Sequence, residues 1–234
     1  MIEQIDFETY LYVSNNKFQI FVYDKINQNN LYKEELRLND KFNFEDFNNL
    51  SKFLDDNIYK IEKLIGNFIK NIILIIENDK NLYVDIAVKK KNYDKSINQK
   101  YLENSLTELK DLFQENYQEQ TIMHMVMVNN AVNEKENYLS SSNSNSDLLF
   151  LEVNFISISN NLVIIFDKIL EKYQTKISQY LCGNYIKNFF KQDDIELSKM
   201  VHKIINGQNN NEVLLIPKNV ENKGFFEKFF QLFS

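Results

Sequence analysis

The sequence predicts a mixed α/β fold, and three features of its first eighty residues indicate it. Residues 10–13 and 18–23 alternate in polarity as the two strands of a hairpin do. Apolar residues then recur at steps of three and four between Phe44 and Ile65, as on one face of a helix. The wholly apolar run at residues 72–76 is typical of a strand buried on both faces.

Turn and cap residues separate these first elements. The predicted hairpin turn is Ser14 to Lys17, and residues 31–38 form a predicted third strand. We expect Asn43 to be the N-cap of the long helix, because Asn is a favoured capping residue, and Gly66 to end it.

Strand and helix signals continue to alternate through the rest of the chain. The predicted elements are a half-buried strand at 84–88, a helix at 102–113, a strand at 122–128 with a hairpin arm near Val132, a long strand at 148–158, a helix at 162–173, a short piece at 181–182, helices near 185–190 and 195–205, and a strand at 213–216 that Pro217 ends. The low-complexity stretch at 140–146 is predicted to be a loop.

Composition and charge exclude several classes of protein. The 234 residues carry a formal net charge of −6, which disfavours nucleic acid as a partner. The single cysteine, Cys182, excludes an internal disulfide framework and fits a reducing cytoplasm. No signal peptide is expected at the acidic N-terminus, and the longest apolar runs are too short to cross a bilayer. Any membrane contact is therefore expected to be peripheral.

Candidate catalytic residues are few. The two histidines and one cysteine are not clustered, so no metal site is predicted. His124 alternates with apolar residues, which favours a core or interface histidine that makes a hydrogen bond. His202 is predicted to lie on the surface, and Cys182 is predicted to be a small buried residue.

Phosphate-binding and acid–base motifs are also lacking. The four glycines are too widely scattered for two to share one phosphate loop, so neither a P-loop nor a dinucleotide fingerprint is present. The carboxylate pairs at 55–56 and 193–194 are expected to be solvated. The lysines at 89–91 are expected to lie on a solvated edge strand, with an acidic partner or a lipid headgroup as the alternative. We therefore predict a protein that is not an enzyme and has no cofactor.

The last eleven residues, 224–234, are predicted to form an amphipathic helix that binds a membrane surface after a polar linker at 218–223. On a helical wheel the apolar side chains fill one arc of about 160°, and the polar ones lie opposite. The alternative is that this helix packs on the protein's own core. Burial of the apolar arc is worth on the order of 5–8 kcal/mol before ordering costs, so firm attachment would require several tails in one assembly. The predicted membrane-binding residues are Phe225, Phe226, Lys228, Phe229, Phe230, Leu232 and Phe233.

The order of elements resembles that of the bacterial cell-division protein FtsA, an actin-like membrane anchor for the FtsZ ring. Residues 121–125 (TIMHM) are similar to the segment of type R-V-L-H-V that leaves the family's inserted SHS2 subdomain. Val132–Asn133 resembles its Y-x-[IV]-[DN]-G turn without the glycine. Residues 151–156 resemble its returning strand, and residues 160–173 resemble the helix that follows.

The resemblance implies half of an actin-like/ribonuclease-H-like fold. It assigns residues 1–78 to the first part of that half, 79–147 to an inserted SHS2-type subdomain, and 148–217 to the return segment, with the linker and amphipathic helix behind them. The family's first phosphate hairpin corresponds to Ser14, Asn15, Asn16 and Lys17, which lack its acidic residue and its glycine. The second phosphate loop has no room between Phe190 and Gly224, so ATP binding is not expected.

The function implied is that of a divisome adaptor on the cytoplasmic face of the inner membrane. Its partners would be the lipid surface and, through the inserted subdomain, division proteins or a second copy. The family places its FtsZ contact largely on the half that this chain does not match, so FtsZ binding is left open. The alternatives are an SHS2-type scaffold of a pilus or envelope assembly machine and an enzyme with an unrecognised site.

Overall fold

A computed structural model describes residues 6–44, 46–91, 97–132 and 148–213, and these residues divide into two units. The first unit extends to Asn81 and resumes from Ile158 to Asn206. The second unit contains Leu82–Ser157 and continues from Gly207. The strands are β1 (Phe7–Ser14), β2 (Lys17–Asp24), β3 (Asn29–Arg37), β4 (Asn71–Glu77), β5 (Leu82–Lys91), β6 (Gln120–Val132), β7 (Leu148–Ser159) and β8 (Lys176–Cys182). The helices are α1 (Asn48–Ile65), α2 (Gln99–Asn116), α3 (Asn160–Glu171), α4 (Gly183–Phe189) and α5 (Leu197–Ile205).

The first unit is built on a five-stranded sheet with the order β3-β2-β1-β4-β8. Strands β1, β2 and β3 pair as an antiparallel meander, whereas β4 and β8 extend the sheet in parallel to β1. This mixed sheet, with helices between its parallel strands, confirms the α/β class predicted from the sequence.

Both faces of this sheet are covered by helices. On one face, α4 and α5 pack over a cluster that includes Tyr10, Tyr12 and Ile75. On the other face, α1 packs against the meander, where the rings of Phe53 and Phe18 lie 6.0 Å apart. Residues 72–76 of β4 are all buried, as predicted, because this interior strand has a helical layer on each side.

The second unit is a three-stranded sheet, β5-β7-β6, with α2 packed on one face. Strands β5 and β7 pair antiparallel along all ten residues of β5. The ring of Phe113 on α2 stacks on that of Phe155 on β7, with centroids 4.8 Å apart. The segment 211–213 lies along β6, with Glu212 bridging to Val126 in the antiparallel sense.

One expected boundary is wrong. Asn43 is not the N-cap of α1, because the chain first makes a turn in which Phe42 packs edge-on against Phe44 and Phe47, and the helix begins at Asn48. The division of the chain into an inserted subdomain at 79–147 and a return segment from 148 stays a prediction. In the structure, β7 pairs with β5 as far as Ser157 and belongs to the second unit over that length.

Other boundaries agree with the sequence or extend it. Gly66 ends α1 in the left-handed conformation, with φ at 67°, as expected for a glycine after a helix. β8 is a full strand of seven residues where only 181–182 was predicted. Of the strand predicted at 213–216, only Val213 lies among the described residues, and its N–H donates to the Met125 carbonyl at 2.8 Å.

Candidate functional site

The polar groups of the hairpin between β1 and β2 bond to one another and to neighbouring residues of the first unit. The hydroxyl of Ser14 donates to Asn16 Oδ1 at 2.8 Å and accepts from the backbone N–H of Lys17 at 3.2 Å. The carbonyls of Asn15 and Asn16 accept from the N–H groups of Phe42 and Leu38. The backbone N–H groups of Asn16 and Lys17 are thus turned towards the hydroxyl oxygen of Ser14.

The cationic residue of this hairpin is already paired. Lys17 Nζ lies 3.1 Å from Glu35 Oε2, and Arg37 Nε lies 2.7 Å from the other oxygen of the same carboxylate. The hydrogen bonds from Arg37 and Lys17 lower the pKa of Glu35 to about 2. Gln19 also donates to Glu35 at 2.6 Å. The ammonium of Lys17 is therefore held by β3 instead of facing a ligand.

The main cluster of the first unit joins Tyr12, Glu77 and Lys187. The Tyr12 hydroxyl donates to Glu77 Oε2 at 2.5 Å, and Lys187 Nζ donates to the same carboxylate oxygen at 2.5 Å. The ammonium also lies 2.6 Å from the Tyr12 oxygen and 4.6 Å from the centre of its ring. Burial and the hydrogen bond to Glu77 raise the pKa of Tyr12. The hydrogen-bonding groups of these three side chains are thus paired with one another.

Three elements position this cluster. Tyr12 lies near the carboxyl end of β1, Glu77 is the last residue of β4, and Lys187 is on α4, which follows β8 directly. Gly183, the first residue of α4, permits the close approach: a Cβ there would lie 3.2 Å from Tyr12 Cε2 and 3.3 Å from Glu77 Cβ.

This location is where a sheet of this type usually holds its ligand. In open α/β sheets, ligands bind outside the carboxyl ends of the parallel strands. Here, the carboxyl ends of β1 and β4 carry the Tyr12–Glu77–Lys187 cluster and the self-bonded hairpin. Such an arrangement can tie α4 to the sheet.

The histidines occupy two different environments. His124 is fully buried in the second unit, with Nδ1 2.6 Å from Glu212 Oε1, which matches the predicted core histidine with a hydrogen bond. His202 was predicted to lie on the surface, and this prediction is wrong. Its side chain is largely covered because α5 lies against the sheet. Its ring contacts that of Tyr23 at 5.0 Å, and its Nδ1 lies 3.2 Å from Glu8 Oε2.

The remaining sequence candidates are not brought together. Cys182 is buried, as predicted, and accepts from Asn81 Nδ2 at 3.5 Å. The carboxylate pairs at 55–56 and 193–194 are exposed on separate elements. Lys89 and Lys91 are exposed at the end of the edge strand β5, as predicted. Within the described parts of the chain, no group of three or more His, Cys, Asp or Glu side chains is placed to hold a metal.

Sequence reasoning missed the Tyr12–Glu77–Lys187 cluster. Its members lie 65 and 110 residues apart in the chain, and no local motif links them. The one available signal is the charged residue Glu77 directly after the apolar run at 72–76.

The predicted membrane-binding residues, Phe225, Phe226, Lys228, Phe229, Phe230, Leu232 and Phe233, lie outside the described residues. Among the helices that the structure describes, none is both long and apolar enough to cross a membrane.

The comparisons with known proteins concern the fold. The sequence matches no protein-family model and no curated protein. Several solved structures are similar in three dimensions. One is a PilM–PilN type IV pilus biogenesis complex, at 7% identity and a TM-score of 0.46, covering 78% of this chain and 49% of that one.

Two further structures are similar at lower scores. The cytoplasmic domain of EpsL, an inner-membrane component of the Vibrio cholerae type II secretion system, has 6% identity and a TM-score of 0.38, with 77% of this chain and 59% of that chain covered. A Bacteroides thetaiotaomicron protein of unknown function with an actin-like ATPase fold has 13% identity and a TM-score of 0.33, with coverages of 83% and 61%. The chain spans about half to three-fifths of the length of these proteins.

Proposed function

We propose that this chain is a non-enzymatic adaptor on the cytoplasmic face of the inner membrane, where it serves as a scaffold of an envelope assembly machine such as that of a pilus. The observation that carries the proposal is the Tyr12–Glu77–Lys187 cluster at the carboxyl ends of β1 and β4. It supports a role in which this half of the fold is a rigid platform instead of a nucleotide switch.

The energetics of the cluster favour the platform. Glu77 and Lys187 are only partly exposed, with 29% and 40% of their side-chain surfaces accessible. A phosphate entering there would meet the carboxylate of Glu77 and would have to compete with it for the ammonium. Breaking charge-assisted hydrogen bonds of this kind costs about 1.5–3 kcal/mol each.

The predicted tail supplies the membrane attachment in this proposal. Its apolar arc suits the boundary between headgroups and acyl chains. The second unit supplies a surface for protein contacts, since it is a separate sheet-and-helix module inserted between β4 and α3.

An FtsA-like division adaptor is the second candidate, and the place of the insertion favours it. The second unit interrupts the first directly after β4, where the FtsA family carries its SHS2 subdomain. Two features weigh against it, because FtsA binds ATP at the carboxyl ends of these strands. One is the hydrogen bonding within the Ser14–Lys17 hairpin, and the other is the Tyr12–Glu77–Lys187 cluster. A tagged copy that gathers at midcell would favour the division role, and an even spread or discrete envelope foci would favour the scaffold.

Liposome co-sedimentation tests the membrane part of the proposal. We expect the full chain to pellet with anionic vesicles and a chain ending at Lys223 to remain in the supernatant. Phe229→Glu should abolish pelleting, whereas Gln231→Glu, which adds the same charge to the polar arc, should retain most of it. Equal pelleting of the full and shortened chains would refute membrane attachment through the tail.

Calorimetry with MgATP tests the platform. We expect no heat of binding at millimolar nucleotide, and none with Lys187→Met, which frees Glu77 without adding a phosphate donor. Saturable binding by the unaltered chain would refute a nucleotide-independent role.

A further inference from the structure

We propose that the first unit carries a peptide-docking groove between α1 and the turn after α3. Its occupant is an acidic segment of a partner protein that inserts an aromatic or branched apolar side chain. This inference rests on the proposed function in that it names the chemistry of one partner of the scaffold. The groove itself is defined by its walls, two exposed aromatic rings and two lysine side chains.

The groove has two walls that both belong to the first unit. One wall is the second half of α1, from Asp55 to Glu62, and the other is the turn at 172–174. The segment 68–70, just before β4, completes the lining. The hollow measures about 510 Å³. It therefore has the size of a typical ligand site, about 300–1,000 Å³, and can take a bulky side chain with its adjoining backbone.

Hydrogen bonds within the first unit hold both walls in place. The Tyr173 hydroxyl donates to Asp55 Oδ1 at 2.7 Å and lies 3.2 Å from the Ser51 carbonyl, which joins the turn to α1. Further along α1, Glu62 Oε1 accepts from the backbone N–H of Ile69 at 3.2 Å. The groove is thus preformed, so a ligand does not have to order it on binding.

Two aromatic side chains of the groove are exposed. Tyr59 and Phe68 have relative exposures of 72% and 75%, and both line the hollow. Ile58 and Ile69 line it as well and are buried, so the base of the hollow is apolar. Aromatic residues often contribute most of the binding energy at protein interfaces. An apolar side chain inserted here would remove both rings from water.

Charge indicates which segment fits. Lys70 and Lys172 line the hollow and are exposed. Among the residues that the structure describes, neither ammonium has an ion-pair or hydrogen-bond partner. Asp55 and Glu62, by contrast, accept hydrogen bonds from the protein itself. The two lysines are therefore the charges that the groove offers, and carboxylates of a partner can form charge-assisted hydrogen bonds with them.

The concave shape favours a protein segment over a lipid surface. A single side chain can enter a hollow between a helix and a turn, whereas a layer of headgroups remains outside it. Asp55 and Glu62 would also repel anionic headgroups at this place. The occupant that we propose is therefore a peptide.

Peptide binding to the full chain without lipid tests the groove. The probe is the fluorescein-labelled peptide Asp-Glu-Phe-Leu-Glu-Asp, measured by fluorescence anisotropy. We expect saturable binding with a Kd below about 1 mM, and no measurable binding of the same peptide with lysines in place of its acidic residues. A failure of the acidic peptide to bind, or equal binding of the two peptides, would overturn the proposal.

Matched variants place the peptide in the groove. Lys70→Glu and Lys172→Glu should each raise the Kd by about tenfold, while Lys60→Glu, on α1 outside the groove, should leave it unchanged. Phe68→Ser should raise the Kd at least fivefold, whereas Ile26→Ser, which alters another exposed apolar side chain of the first unit, should not. Equal effects of groove and control variants would contradict this location.

Vesicle pelleting separates this proposal from membrane attachment. We expect Phe68→Ser to pellet with anionic vesicles as the unaltered chain does. Loss of pelleting in Phe68→Ser, together with no peptide binding, would show a lipid contact at this place and overturn the groove. Peptide binding by a chain that does not pellet would refute the tail alone, so the two proposals fail separately.

Discussion

Lys187 Nζ lies 2.6 Å from the hydroxyl oxygen of Tyr12, although 175 residues separate them in the chain. The same ammonium donates to Glu77, so one contact ties the first strand, the end of β4 and the helix after β8. Because the chain leaves for the second unit between β4 and β8, this cluster also holds together the two segments of the first unit that the insertion separates.

The first prediction concerns the coupling within this cluster. Tyr12→Phe and Lys187→Met should each destabilise the protein by about 1.5–3 kcal/mol, because each removes a hydrogen bond to a charged group. A double-mutant cycle by urea unfolding should give a coupling of at least about 0.5 kcal/mol. Tyr32→Phe, which removes a hydroxyl that donates to Asn57, is the matched control and should show no coupling to Lys187→Met. A zero coupling for Tyr12 would contradict the geometry.

The second prediction concerns Gly183. Alanine there would place its Cβ 3.2 Å from Tyr12 Cε2 and 3.4 Å from Ile75 Cγ2, so α4 or the tyrosine ring must shift. We expect a loss of about 1–3 kcal/mol in the free energy of unfolding. In a Tyr12→Leu background, which lacks the ring edge, the loss should be smaller. An unchanged midpoint in urea for Gly183→Ala would argue against the close approach.

The third prediction concerns the pH dependence of stability. Arg37 and Lys17 hold the pKa of Glu35 at about 2, below the ordinary 4.5. A lowered pKa in the folded state stabilises the protein above about pH 4.5, and this contribution is lost as the pH falls from 4.5 towards 2. Because the group is a quarter exposed, we expect only about 1 kcal/mol at pH 7.

Glu35→Gln should therefore lower the free energy of unfolding at pH 7, and its difference from the unaltered chain should shrink between pH 4.5 and 2. The neighbouring exposed Glu34→Gln is the control and should show little difference at any pH. If the free energies of unfolding of Glu35→Gln and the unaltered chain differ by a constant amount between pH 4.5 and 2, Glu35 is not paired with Lys17 and Arg37 in solution.

The fourth prediction concerns the buried pair of the second unit. His124 and Glu212 have 0% and 5% of their side-chain surfaces exposed. Replacement of one member of a buried hydrogen-bonded pair removes that bond from the other and typically costs about 1–3 kcal/mol. Glu212→Leu should show this loss in thermal or urea unfolding, while Glu212→Gln, which still accepts a hydrogen bond, should lose less. Equal stability of Glu212→Leu and the unaltered chain would contradict the pairing.

Features that depend on neighbours in sequence were predictable. The meander, the buried β4 and the left-handed Gly66 follow from periodicity and from the backbone freedom of glycine. The full extent of β8 was not predictable, because an edge strand with one half-exposed face loses the apolar pattern: Lys176, Ser178 and Gln179 interrupt it. No change of sequence pattern marks the end of the second unit at Ser157, because β7 continues without a break to Ser159.

The same holds for the candidate site: features set by neighbouring residues were predictable, and contacts between distant residues were not. The lack of a phosphate motif could be read from the composition, and the burial of His124 from its apolar neighbours. Its partner Glu212 could not be foreseen, since it is 88 residues away on a segment with no strand signal of its own at that position. The tail remains a prediction from the helical wheel.

The 88-residue separation also sets a delay during synthesis. His124 leaves the ribosome well before Glu212 exists, and at about 5–20 residues per second the wait is roughly 4 to 18 seconds. During that time the nascent β6 lacks the segment 211–213 that will lie along its outer edge. It also lacks the Glu212 carboxylate that will form a hydrogen bond with His124. A translational pause or a chaperone acting in this interval would therefore find the second unit open on its β6 side.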